Sequence, residues 1–331
     1  MVMPRPLPDL FWLSAIPLLA ACSSSSPVEV IPPDAPDTVG VMTYNIFHDG
    51  ADPPRGIRPW LERRAGVVEI IRSRSPDVVG LQEAEVWQVA WLLEEMPEYL
   101  AVARGPFADA GIPDAETSAI LFRRDRFTLR ESGHFWYSDA PDEPGSYGGA
   151  AFGGTAFPRL VTWVRLGEPG VPQDPGFYVF NTHFIADGQA DDPQQARFRS
   201  AELLARRIAD RSRRDAPFLV LGDLNTGPGS WPLRYLLGSR CESGEPCSEP
   251  APEFRMMDVW ESKHPGDSDS GTRCNAVSGA DGPRVDHILV WNSPPQGWSP
   301  PVILSADIVA FGADCPSDHR PVVARLVLPG P

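Results

Sequence analysis

The sequence predicts one α/β domain, two layered β-sheets with helices packed outside them. Three observations carry that expectation. Short β-branched and aromatic runs alternate along the chain with segments whose apolar residues recur every three or four positions. Hydrophobic residues make up 42% of the 331 and charged residues 22%, a balance that supports a sizeable core. Proline (38) and glycine (29) together are about a fifth of the chain, short of low-complexity disorder but enough for many loops. No internal repeat recurs at a fixed period, and the alternation suits a layered arrangement.

Taken in order, residues 1–21 read as an export signal. Arg5 is the basic region, and Phe11 to Leu19 form an apolar run shorter than the roughly 20 residues a membrane-spanning helix needs. Leu19-Ala20-Ala21-Cys22 resembles a bacterial lipobox, in which the cysteine is lipidated and becomes the new N-terminus. The expected location is therefore the cell envelope, anchored by lipid on Cys22 to a membrane, the outer one by preference. Residues 22–37 form a Ser- and Pro-rich tether. Residues 38–329 are the folded domain, expected to act as a monomer.

Within the domain, Val39–Phe47 reads as a strand. Pro59–Ser73 carries a helical stripe of Leu61, Ala65, Val68 and Ile71, which Pro76 stops. Asp77–Gln82 is strand-like and Val86–Glu95 helical. Ser118–Phe122, Arg159–Leu166 and Gly176–Phe184 are strands. Pro193–Arg213 is a longer helix with Ala201, Leu204, Ala205 and Ile208 on one face. Its Arg206, Arg207, Arg211, Arg213 and Arg214 are expected to form a solvated face. Phe218–Leu221, Arg284–Trp291 and Pro321–Leu328 complete the strands. Two stretches rich in turn residues, Pro141–Pro158 and Arg240–Gly282, interrupt the pattern.

The net charge is -15, from 29 basic and 44 acidic residues, and it repels polyanions at long range. Five cysteines are present. With Cys22 lipidated, Cys241, Cys247, Cys274 and Cys315 remain, an even set that suggests two disulfides after export. Of three possible pairings, a local Cys241–Cys247 clip and a long-range Cys274–Cys315 staple are expected. None of the four forms a CxxC, so a structural zinc site is not expected.

The residues with chemistry sit where strands end. They are Asn45 in Tyr-Asn-Ile, Glu83 in Leu-Gln-Glu, and Asn181 and His183 in Asn-Thr-His. Asp223 and Asn225 lie in Gly-Asp-Leu-Asn, Asp286 in Val-Asp-His, and Asp318 and His319 in Ser-Asp-His. Spacing by two along a strand sends both side chains of a pair to one face. Any one of these motifs has a bland reading, Asn45 as a turn residue or Glu83 as a helix cap, for example.

Together and in this order, the motifs resemble the endonuclease/exonuclease/phosphatase superfamily, over roughly Thr38 to Leu328. The resemblance implies a four-layered α/β sandwich of two mostly antiparallel sheets flanked by helices. It also implies a metal-dependent phosphoesterase site at the sheet edges. Asn45, Glu83 and Asp318 are then the metal set, with Glu83 central. Their oxygen donors suit Mg²⁺, with Mn²⁺ or Ca²⁺ as substitutes. Asp223 is the base for the attacking water, held by Asn225. Asp286 pairs with His319 to favour an imidazolium that donates to the phosphoryl oxygen. His183 is a second donor, and Asn181 and Arg159 contact substrate. His48 and His287 receive no role. The expected substrate is a small or lipid phosphoester; an extracellular nuclease is the alternative, and a non-catalytic binding lipoprotein the least favoured.

Overall fold

The computed structural model describes residues 37–49, 56–107, 116–149, 152–155, 157–239, 254–267, 269–274, 282–311 and 315–330. The signal, Cys22, nearly all of the tether, and Cys241 and Cys247 lie outside them.

In chain order the elements are β1 (Thr38–Asn45), α1 (Trp60–Arg74), β2 (Val78–Gln82), β3 (Ala84–Glu85), α2 (Val86–Glu95), β4 (Tyr99–Val102), β5 (Glu116–Thr117) and β6 (Ile120–Arg123). Then come β7 (Thr128–Trp136), β8 (Leu160–Gly167), β9 (Phe177–His183), α3 (Pro193–Ala209), β10 (Phe218–Asp223) and α4 (Trp231–Leu236). The last are β11 (Met256–Asp258), α5 (Val259–Lys263), β12 (Asp286–Trp291), β13 (Val302–Ile308) and β14 (Val322–Val327).

One large sheet has the order β13-β14-β1-β2-β6-β4, the other β11-β12-β10-β9-β8-β7. Each is antiparallel except for one pair: β1 with β2, joined through α1, and β9 with β10, joined through α3. A parallel pair needs such a crossover, which lays a helix on the outer face. Three apolar layers follow. Val41, Val164, Val179, Leu221, Ile288 and Val322 fill the space between the sheets. Met42, Tyr44, Trp60, Ile71 and Leu92 seal α1 and α2 onto the first sheet. Tyr178, Phe180, Leu204, Ile208 and Phe218 seal α3 onto the second.

The helix ends have local causes. The Asp192 carboxylate accepts from the Gln195 amide, with Pro193 at the first helical position, and so starts α3. α3 stops at Ala209, short of the expected Arg213. Arg211 folds back there to donate to the carbonyls of Ile208, Arg214 and Ala216, and stacks over Phe218 and Trp291. Arg211 therefore departs from the expected solvated face, because its stem and charge close the end of the helix. Glu85, not Glu83, caps α2.

Candidate active site

Strand alternation builds the site. On the face between the sheets, each central strand turns from apolar to polar along its length. β1 carries Val39, Val41, Thr43 and Asn45; β9 carries Val179, Asn181 and His183; β10 carries Leu219, Leu221 and Asp223. β12 runs the other way and begins with Asp286, followed by Ile288 and Val290. The ladder pairs Asp223 with His183 on one side and with Asp286 on the other. Three polar side chains thus emerge side by side where the apolar layer ends.

Asp223 is the centre, fully buried. Its Oδ2 accepts from Asn45 Nδ2 at 3.1 Å and lies 3.4 Å from His183 Nε2 and 3.6 Å from His319 Nε2. Its Oδ1 accepts from the Asn225 amide at 2.9 Å. Burial and the Asp286 charge push its carboxyl up to about 6, against the pull of His319 and Arg273. A carboxylate in that range is still ionised at neutral pH and is a stronger base than an exposed one.

His319 donates from Nδ1 to Asp286 Oδ2 at 2.8 Å. Burial opposes its charge, but Asp286 and Asp223 outweigh burial and raise it to about 10. His183 is the reverse case. Burial and the neighbouring Arg159 hold it well below the ordinary histidine range. Both its ring nitrogens face N–H donors, Arg159 at 3.0 Å from Nδ1 and Asn225 at 3.0 Å from Nε2. A neutral ring accepts from one of them and presents its own N–H at the other nitrogen.

A second pole lies around Glu83. Asn45 Nδ2 donates to both Asp223 and Glu83 Oε1 (3.0 Å), so one amide ties the two poles together. His48 Nδ1 lies 3.1 Å from Glu83 Oε2, and Glu116 is 3.6 Å from the same nitrogen. Ligand atoms of His48, Glu83 and Glu116 all fall within 4.8 Å of one another, half-exposed. Carboxylate oxygens with one imidazole fit a divalent cation. Glu83 carries this pole on a left-handed backbone, φ 58°, and Phe47 (57°) and Asn225 (47°) share that conformation beside the site. Non-glycine residues hold it at a cost, and such strain concentrates at functional positions.

The remaining expected residues are placed as follows. Asp318 is buried next to His319, and its charge acts on Tyr44, Arg63 and His319. It stands outside the group around Glu83. Asn181 is fully buried, donating to the Leu81 and Ala119 carbonyls and accepting from Gln82, so its amide braces one sheet against the other. The structure does not bring it to the site. Arg159 is buried and bonded to Glu116 (2.9 Å), His183 and Gln189, which occupies it inside the protein. Cys274 and Cys315 form the expected disulfide, three residues before Asp318.

Four contributors escaped the sequence reading. His48 and Glu116 complete the Glu83 pole, and Arg273 bonds Asn225. Arg63 lies buried in α1 and donates to the carbonyls of Ile46, Phe47, His48 and Pro316, clasping the loop that follows Asn45 to the segment that precedes Asp318. His48 follows Asn45 by three residues, and that proximity was the one signal available for it.

A model of the endonuclease/exonuclease/phosphatase family matches residues 42–319. The chain belongs to that family. Family members are phosphoester hydrolases that generally use a divalent metal. Among solved structures, an endonuclease/exonuclease/phosphatase of Bacteroides vulgatus is 26% identical with a TM-score of 0.70, covering 88% of this chain and 99% of that one. A mannosyl-6-phosphatase of Bacteroides thetaiotaomicron is 24% identical with a TM-score of 0.63, covering 88% of this chain and all (100%) of that one. An uncharacterised protein, L388, of Acanthamoeba polyphaga mimivirus is 23% identical over 191 residues, 56% of this chain and 66% of that protein, just under two thirds of its length.

Proposed function

We propose that this chain is a divalent-metal-dependent hydrolase of a small or lipid phosphoester. The observation that carries the reading is the convergence of Asn45, His183 and His319 within 3.1–3.6 Å of one buried carboxylate oxygen of Asp223. A divalent cation held by Glu83, with His48 and Glu116 at hand, would polarise the phosphoryl group and stabilise the leaving oxygen. Asp223 takes the proton of the attacking water. Charged His319 donates to the phosphoryl oxygen on which negative charge grows. The Asn225 turn holds Asp223 and lines the phosphate position, and neutral His183 completes the polar wall.

The charge of -15 opposes a long polyanion and favours a small or lipid ester over DNA. A mannosyl-6-phosphatase among the structural neighbours is consistent with a small ester. The test is hydrolysis of bis(p-nitrophenyl) phosphate with Mg²⁺, together with duplex DNA, sphingomyelin and phosphatidylinositol phosphates. Activity is expected to vanish in excess EDTA. Full activity in EDTA would overturn the reading, and DNA cleavage far above the other substrates would establish the nuclease instead.

Export and lipid attachment at Cys22 belong to the same proposal. The Cys274–Cys315 disulfide supports an oxidising compartment. Labelled palmitate is expected to enter the wild type and not Cys22→Ala; equal labelling of both refutes the anchor.

A further inference from the structure

We infer that Arg273 is the arginine that binds substrate phosphate, and that it makes the site favour a terminal phosphomonoester over a phosphodiester. This rests on the hydrolase reading above. The backbone of Arg273 is fixed at the site. It forms an isolated antiparallel bridge with His319, and its carbonyl accepts from the Gly282 amide at 2.9 Å. The next residue, Cys274, is bonded to Cys315 and donates its amide to the Asp318 carbonyl at 2.7 Å. From this backbone the guanidinium reaches Asn225, and its NH2 group donates to Asn225 Oδ1 at 2.8 Å. The other end of the same amide meets His183 Nε2 and the Phe184 carbonyl, both at 3.0 Å. The Arg273 charge is felt at both Asp223 and His183.

Its partner is the anomaly. The other arginines near the site are engaged inside the protein: Arg159 with Glu116, Arg284 with Asp258, and Arg63 with backbone carbonyls. Among the described residues, Arg273 is half-buried, and the one hydrogen bond of its guanidinium goes to a neutral amide. A chain with a net charge of -15 has acids to spare, yet none of the described carboxylates pairs with this cation. A guanidinium offers five donors in a fork that matches phosphate oxygens, so the missing anion is supplied by the ligand. A phosphomonoester carries about -1.5 to -2 charge at neutral pH, whereas a diester carries a single negative charge. One more fixed cation beside the charged His319 therefore favours the monoester.

The experiment compares the wild type with Arg273→Gln, which keeps a donor without the charge, and Arg273→Lys, which keeps the charge without the fork. Three readouts are taken: kcat/KM on p-nitrophenyl phosphate, kcat/KM on bis(p-nitrophenyl) phosphate, and the thermal shift produced by inorganic phosphate. Arg273→Gln is expected to lower the monoester value about 100-fold and the diester value about tenfold or less, with Arg273→Lys between. The phosphate-induced shift should shrink in the same order. Equal losses on the two esters, or an unchanged phosphate shift in Arg273→Gln, overturn the inference. Failure of the hydrolase reading shows separately, as a wild type inert on both esters, while the phosphate shift still reports on Arg273.

Discussion

His319 and His183 flank the same carboxylate, with Nε2 atoms 3.6 and 3.4 Å from Asp223 Oδ2, and both are almost fully buried. Distance to Asp223 and burial do not separate them. What separates them is the group on the far side of each ring. His319 has a carboxylate there, Asp286 at 2.8 Å, and is driven to its charged form. His183 has a guanidinium there, Arg159 at 3.0 Å, and is held neutral. The difference teaches that the motif names the ring, while its partner sets the chemistry. One wall of the site carries a fixed positive charge and the other a neutral, polar ring.

Removing the charged side has the largest expected effect. His319→Ala is expected to lower kcat by about 10³-fold, and Asp286→Asn by somewhat less, because loss of the carboxylate lets the imidazolium discharge. Steady-state kinetics on bis(p-nitrophenyl) phosphate measures both. Equal activity of His319→Ala and wild type removes His319 from the mechanism.

Arg159→Gln attacks the neutral side and is expected to cost about 10- to 100-fold in kcat/KM. Removing the cation raises the His183 pKa, so the ring gains a proton at higher pH than before. The acid limb of the rate profile should therefore move to higher pH than in the wild type. A limb that stays in place separates His183 from Arg159.

The wild-type profile is a smaller test of the same contrast. In the proposed mechanism Asp223 is the base and acts in its ionised form, so kcat/KM should fall as pH drops through about 6. His319 has a raised folded pKa. Its stabilising contribution is fully present below its unfolded value of 6.5 and is lost as pH rises through about 10. The thermal midpoint of the wild type relative to His319→Gln should therefore narrow between those values, a trend that calorimetry reads directly.

The smallest effect on chemistry is expected at the disulfide. Cys274 and Cys315 are 41 residues apart, and closing such a loop contributes on the order of 4 kcal/mol in the chain-entropy account. Reduction should lower the melting temperature while reducing kcat only a few-fold. A loss of kcat as large as that of His319→Ala would show that the bridge sets the position of His319.

How legible each part was in the sequence follows burial. β1, β2, β9, β10 and β12 are buried along their whole length, and each is announced by a run of β-branched and apolar residues. The four edge strands β4, β7, β11 and β13 were not read from the sequence. An edge strand has one flank in solvent and needs no continuous apolar run; β7 and β13 are mostly half-buried or exposed. The site divides the same way. Asn45, Glu83, His183, Asp223, Asn225, Asp286 and His319 stand at the ends of buried strands or in short motifs beside them, and the fold brings them together. Glu116, Arg63 and Arg273 come from the small two-stranded sheet of β3 and β5, a helix and a loop. Only tertiary packing places them, and no local spacing marks them. Asn181 shows the converse. It shares a face with His183, but two residues farther from the strand end it meets Gln82 across the sheets and not the open site.

The unlike pair of histidines is tested most directly by NMR. The ring ¹³C–¹H signals of His183 and His319 would be followed from about pH 5 to about pH 9, a range that spans the ordinary histidine transition. Neither signal is expected to titrate in that range, His319 remaining at charged shifts and His183 at neutral ones throughout. Two rings titrating together near pH 6.5 would contradict the account.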